Sequence, residues 1–146
     1  MIRITKIIEF DAGHRVPNHK SKCRNPHGHR YRLECTVSGY LNSESGSSEQ
    51  GMVIDFGDLK DVMTTYVHDV LDHGFIYYEN DKEIAEMFEP FKDTWNLIKV
   101  PFIPTAEELS RWCFEQVNDN LPPTSGLELI NVKLFETPNS WAQYGM

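Results

Sequence analysis

The stretch Ile2-Arg3-Ile4-Thr5-Lys6-Ile7-Ile8-Glu9-Phe10-Asp11-Ala12-Gly13-His14 decides the fold. Ile2, Ile4, Ile8, Phe10 and Ala12 share one phase, with mostly polar residues between them. A period of two predicts a half-buried strand over 2–12, and His14 continues its inner phase. Residues 15–26 are polar, carry Pro17 and Pro26, and read as a loop. Residues 29–39 alternate again, with Tyr31, Leu33, Cys35 and Val37 on one face. His29 is in that phase, and so is His27 if the strand extends back to it.

Farther out, residues 41–51 (LNSESGSSEQG) read as a hairpin or exposed connector, followed by a short strand over 52–54. Asp55 is placed to cap a helix whose stripe runs Leu59, Val62, Met63, Tyr66 and Val70, with His73 three residues further on. Residues 77–103 carry the weakest pattern. Ile84, Met87 and Phe88 suggest a short amphipathic helix, and 97–100 a short strand. Thr105-Ala106-Glu107-Glu108 is a capping-box pattern. It opens a helix with Leu109, Trp112, Cys113, Gln116 and Val117 on one side, which Leu121-Pro122-Pro123 ends. The last strand is 127–136, with Ile130, Val132 and Leu134 in phase and Glu136 next. The order β, β, helix, variable segment, helix, β predicts an α+β fold, an antiparallel sheet with helices on one face.

At 146 residues the chain is expected to form one domain, 1–146. A formal charge of −8 argues against a nucleic-acid backbone or an anionic membrane as partner. It leaves room for a phosphorylated substrate held by a metal and local cations. Cys23, Cys35 and Cys113 are too few and too far apart for a disulfide framework, which points to a reducing, cytoplasmic setting. No signal-peptide pattern and no membrane-length apolar run is present.

The chemistry concentrates where His14 and the pair His27-Gly28-His29 meet. The spacing H-x12-H-x-H can bring three imidazoles to one ion: His27 and His29 share a strand face, and His14 would come from the neighbouring strand. Three protein ligands leave a coordination position open, as catalytic zinc sites do. The plainer alternative is a polar strand entry, against which Gly28 weighs, since glycine in a strand often marks close approach. Cys23, flanked by Lys20, Lys22 and Arg24, is either a fourth ligand or a free thiol beside the metal, and spacing alone does not choose. Cys35 and Cys113 read as core. Asp72 beside His73 can orient that imidazole only if the chain folds back, because adjacent side chains on a helix diverge; the plainer alternative is that Asp72 caps or is solvated and His73 packs. Glu136 ends an apolar strand face, and a buried carboxylate there needs donors, either the adjacent N–H groups of a heterocycle or a neighbouring helix. His14, His27, His29, His73 and Glu136 all lie at ends of apolar faces and are expected to point inward at the rim of the core. His19 and His68 receive no role.

These residues form a pattern that resembles the 6-pyruvoyl-tetrahydropterin synthase superfamily. Within it, the chain is most similar to the branch that forms 6-carboxy-5,6,7,8-tetrahydropterin in the queuosine (7-deazaguanine) pathway. The matching pieces are Phe10-Asp11-Ala12-Gly13-His14, Cys23-x3-His27-Gly28-His29, Gly51-Met52-Val53-Ile54-Asp55-Phe56-x2-Leu59-Lys60, Leu71-Asp72-His73, Pro104-Thr105-x-Glu107-x-Leu109 and Phe135-Glu136-Thr137. They occur in family order and cover nearly the whole chain.

The resemblance implies the T-fold: a four-stranded antiparallel sheet with two main helices on one face. It implies subunits that join through sheet edges, typically as a hexamer of stacked trimers with active sites between subunits. It implies a zinc-dependent conversion of 7,8-dihydroneopterin triphosphate to 6-carboxy-5,6,7,8-tetrahydropterin, with loss of acetaldehyde and triphosphate. By position, His14, His27 and His29 would hold zinc, Cys23 would accept a proton, Asp72 and His73 would serve the relay, and Glu136 would anchor the pterin and join the relay. Thr105 and Glu107 would contact substrate or a neighbouring subunit. The short Cys-x3-His-Gly-His spacing favours the carboxy-forming branch over the pyruvoyl-forming lyases, and retention of Cys23 argues against the branch with glutamate there. The competing readings are a pyruvoyl-forming synthase on the same substrate and a non-catalytic, zinc-stabilised oligomeric binding module. Two features depart from the family: residues 74–103 are longer than in many compact members, and Gly74-Phe75-Ile76-Tyr77 replaces an asparagine-containing sequence.

Overall fold

The structure, a computed structural model, describes all residues from 1 to 146. The two alternating stretches form the centre of the sheet. β1 (Ile2–His14) and β2 (His27–Gly39) pair antiparallel over their full lengths, from Ile2↔Gly39 to His14↔His27. β2 pairs antiparallel with β5 (Glu128–Thr137), and β5 with β6 (Ser140–Gly145). On the other side β1 pairs with β3 (Gly74–Tyr78) and β3 with β4 (Leu97–Val100), both parallel. The order is β4-β3-β1-β2-β5-β6.

The α+β class and the helix layer are as expected, but two features of the sheet are not. It has six strands rather than four, and it is mixed rather than antiparallel. A parallel neighbour requires a crossover. The helical stretch after β2 supplies one, and the excursion between β3 and β4 supplies the other. Residues 52–54 form no strand; Val53 and Ile54 bury their side chains in the core instead.

The first helical stretch explains where His73 goes. α1 (Phe56–Met63) starts as expected, with the Asp55 carboxylate accepting the Gly57 N–H at 2.6 Å. It continues through a π-helical turn (Thr64–His68) into a short last turn, α2 (Asp69–Leu71). The buried positions are Leu59, Met63, Val67 and Leu71, four apart throughout. An unbroken 3.6-residue period would bury Tyr66 and Val70, yet these are 39% and 38% exposed. The wide turn takes up one extra residue and moves the stripe on by one.

α3 (Lys82–Phe88) is capped by Asp81, and α4 (Ala106–Asn118) by Thr105, whose hydroxyl accepts the Glu108 N–H at 3.3 Å. The α1–α2 stretch and α4 cover one face of the sheet around a cluster of buried side chains that includes Phe10, Tyr31, Leu33, Leu59, Leu109 and Leu134.

One ion pair ties the end of β1 to the excursion between β3 and β4. Arg15 donates to both oxygens of Asp81, Nε at 2.7 Å and Nη2 at 2.5 Å, and Asp81 is only 5% exposed. Burial alone would raise the Asp81 carboxyl; Arg15 and the Ile84 N–H outweigh that and hold it below its ordinary value. Arg15→Ala leaves this carboxylate buried without its counter-ion, and we expect a loss of about 3 kcal/mol in chemical denaturation. Glu83→Ala, on the exposed rim of the same cluster, should change stability by under about 0.5 kcal/mol.

Candidate active site

The antiparallel register builds the histidine cluster. His14 stands opposite His27, and His29 lies two residues further along the same face of β2. Gly13 faces Gly28 between them, and a Cβ on Gly28 would come within 3.2 Å of the Ala12 carbonyl oxygen. Glycine therefore lets the two strand ends close up under the rings. Ring centroids are 4.7, 4.9 and 5.1 Å apart, and one nitrogen from each ring lies within 4.8 Å of the others.

Two backbone carbonyls set the tautomers. A carbonyl can only accept, so Nδ1–H of His14 donates to Pro104 at 2.7 Å and Nδ1–H of His27 to Asn25 at 2.6 Å. Their Nε2 lone pairs are left for a ligand role, the arrangement in which outer partners orient metal-binding imidazoles. Nε2 of His14 and Nε2 of His29 are buried without a hydrogen-bond partner. Unpaired buried nitrogens are costly, and a cation shared among the rings would satisfy them. The group comprises the three histidines and does not take in Cys23. Three neutral imidazoles with no thiolate suit zinc with an open fourth position.

Burial favours the neutral form of His14 and His29. Burial lowers the His14 pKa to about 4, against the pull of its bond to Pro104. Burial, then His27, lowers that of His29. Glu136 is shifted the other way, first by burial and then by Glu107. A depressed histidine binds fewer protons folded than unfolded, so its contribution is present above pH 6.5 and lost as the pH falls toward its folded value. For His14 that is about 2 kcal/mol between pH 7 and pH 5. His29 adds to the loss, while the raised Glu136 opposes it at the acid end. We therefore expect metal-free protein to lose stability on acidification from pH 7 to 5, measured by urea denaturation, with His14→Gln flattening that dependence.

A cleft of about 310 Å³ opens beside the cluster, at the low end for small-molecule sites. His14, Cys23, Thr105, Glu107 and Glu136 line it. Glu136 gets there through a β-bulge: Phe135 pairs with Trp141 and Thr137 with Ser140, leaving Glu136 as the extra residue. Its carboxylate oxygens lie 3.8 Å from His14 Nε2 and 3.9 Å from His29 Nε2. Cys23 is exposed on a single 3₁₀ turn, Lys22–Arg24, and its carbonyl accepts the Val16 N–H at 2.8 Å. Thr105 and Glu107 sit at the start of α4, so one element both caps itself and borders the cleft.

Asp72 and His73 stand elsewhere. The helix stops at Leu71, Asp72 turns extended, and His73 adopts a left-handed φ of 57°. The chain thus folds back, and His73 Nδ1–H donates to Asp72 Oδ2 at 2.7 Å. The His73 N–H donates to the Asp11 carbonyl (2.6 Å), and the Asp11 N–H donates to Asp72 Oδ1 (3.0 Å). The Asp11 N–H, then His73, hold the Asp72 carboxyl low, and Asp72 raises the imidazole. His73 does not point inward as expected. Its side chain is 79% exposed, because the π-helical turn displaced the stripe it was read from. It borders a second concavity with Asp11, Gly28 and His29, separate from the one that holds Cys23.

Sequence reading missed Ser140, Trp141 and Ala142, which line the cleft from β6, and His19, which also borders it. The alternation Trp141, Gln143 against Ala142, Tyr144 was the available signal, but its inner positions are too weakly apolar to mark a strand.

A family model described as 6-pyruvoyl tetrahydropterin synthase matches residues 3–146. A Rickettsia bellii protein named 6-carboxy-5,6,7,8-tetrahydropterin synthase is 38% identical over 146 residues, covering 98% of this chain and 99% of its own. A Haemophilus influenzae protein of the same name is 36% identical, covering 99% of each. Among solved structures, Caenorhabditis elegans 6-pyruvoyl tetrahydropterin synthase superposes with a TM-score of 0.68 at 25% identity, covering 99% of this chain and 95% of its own.

Proposed function

The chain belongs to the 6-pyruvoyl tetrahydropterin synthase family, and we propose that within it the protein acts as a zinc-dependent 6-carboxy-5,6,7,8-tetrahydropterin synthase. The observation that carries this reading is the set of three ligand-ready imidazoles beside a cleft that also holds Cys23 and Glu136. The substrate is 7,8-dihydroneopterin triphosphate. With water it gives 6-carboxy-5,6,7,8-tetrahydropterin, acetaldehyde and triphosphate, a step toward queuosine and other 7-deazaguanines. Reduction of the ring balances oxidation of the side chain, so no redox cofactor is needed.

His14, His27 and His29 hold the zinc. When bound, zinc supplies Lewis acidity to the side-chain hydroxyls and acidifies the bonds beside them. Glu136, half-buried at its bulge, accepts the paired N–H groups of the pterin ring and so orients the side chain toward the cluster. Thr105 and Glu107 border the same ring. The Cys23 sulfur takes the proton released from carbon. His73, oriented through Nδ1 by Asp72, presents Nε2 for the return of protons. Cys23 and His73 occupy separate concavities of one chain, so a second copy completes each site. The unpaired outer edges of β4 and β6 are the surfaces for such assembly, as a hexamer of stacked trimers. Three unpaired thiols support a cytoplasmic setting.

The test is product identification by mass spectrometry with zinc-loaded protein and 7,8-dihydroneopterin triphosphate. Acetaldehyde and the 6-carboxy product are expected. Triphosphate release without acetaldehyde would assign the pyruvoyl-forming reaction instead. Zinc retention with neither turnover nor pterin binding would leave a binding module.

A further inference from the structure

We propose that Asn96, immediately before β4, is the positioning residue for His73, an inference that rests on the reading of His73 as a proton carrier. Asn96 brackets the Asp72–His73 turn from both sides. Its side-chain Nδ2 donates to the Val70 carbonyl at 3.3 Å and to the Asp72 carbonyl at 3.5 Å, and its own backbone carbonyl accepts the Phe75 N–H at 3.0 Å.

The approach is close enough to need glycine. A Cβ on Gly74 would stand 2.7 Å from Asn96 Nδ2, 2.2 Å from Ile98 Cδ1 and 3.1 Å from the Leu71 carbonyl oxygen. Gly74 thus admits Asn96 against the turn. The turn needs holding because His73 sits at φ 57°, a left-handed conformation that residues with a Cβ adopt uncommonly and at a cost. Its other restraints, the bonds through Asp11, come from β1. Asn96 supplies the opposing hold from β4, on the far side of β3. The long excursion between β3 and β4 therefore does more than extend the sheet: it returns an amide to the one turn that carries His73. Asn96 touches no reacting atom and acts through the direction in which His73 presents Nε2.

A double-mutant cycle tests this. Asn96→Ala should lower kcat about tenfold, with KM within about twofold, since small misplacements of a proton carrier act on the chemical step. In a His73→Ala background the same substitution should change the residual kcat by under about twofold. Asn96 is exposed, so the fold should persist, as thermal melting will report. Asn96→Asp, of equal size but without the two donors, should repeat the kcat loss. An unchanged kcat in either Asn96 variant, or an equal loss with and without His73, overturns the proposal. If His73→Ala itself has no effect, the reading of His73 as a proton carrier fails and this inference falls with it.

Discussion

Cys23→Ala is expected to keep its full complement of zinc and to lose turnover by about 10²–10⁴-fold, the range for removing a positioned proton acceptor. The geometry separates the two effects. The atoms that can share an ion belong to His14, His27 and His29, and Cys23 is not among them. Its sulfur stands on an exposed 3₁₀ turn that the Val16–Cys23 backbone bond holds in place, and truncating the side chain leaves that bond intact. Cys23→Ser offers a weaker proton acceptor and should recover little activity. Metal analysis and steady-state rates on one preparation decide the matter. Loss of zinc from Cys23→Ala would make the sulfur a ligand and the site a closed structural centre.

His29→Ala should do the reverse and release the metal. Apparent binding energies of about 10–16 kcal/mol for four-ligand zinc sites put roughly 3 kcal/mol on each ligand, a factor of about 100 in affinity. His29 Nε2 is buried and unpaired, so the remaining two imidazoles gain nothing from its removal. Competition with a chromophoric chelator should therefore show at least that weakening, with turnover falling to background. His68→Ala is the control: His68 pairs with Asp69, outside the cluster, and the variant should bind zinc normally. Equal zinc affinity in His29→Ala and the parent protein would remove the three-histidine site.

The parts of this architecture that could be read from residues are those specified locally. The two-residue period of β1 and β2 put His14, His27 and His29 on one inner face before any pairing was known. Asp55 and Thr105 marked helix starts because a cap acts within one turn. The missing parts depend on distant partners. β3 and β6 exist because β1 and β5 offer open edges, and neither carries enough alternation to declare itself. The carbonyl that orients His14 belongs to Pro104, 90 residues away. The inward reading of His73 failed because it extrapolated a 3.6-residue period through a π-helical turn. The bulge that frees Glu136 becomes visible only once β6 is paired.

That wide turn sets a phase angle. One residue of α-helix corresponds to a rotation of about 100°. Straightening the turn to ordinary α-helix with all its residues kept would wind everything downstream by that amount, and Val67 and Leu71 could not keep their burial unless Asp72 and His73 swung away from Asp11. Deleting one exposed residue there, such as Thr65, would remove the extra residue and the wide turn together, and the downstream face would keep its direction. The interval from the Asp55 cap to His73 thus has slack of one residue, and a second deletion would find no wide turn left to absorb it.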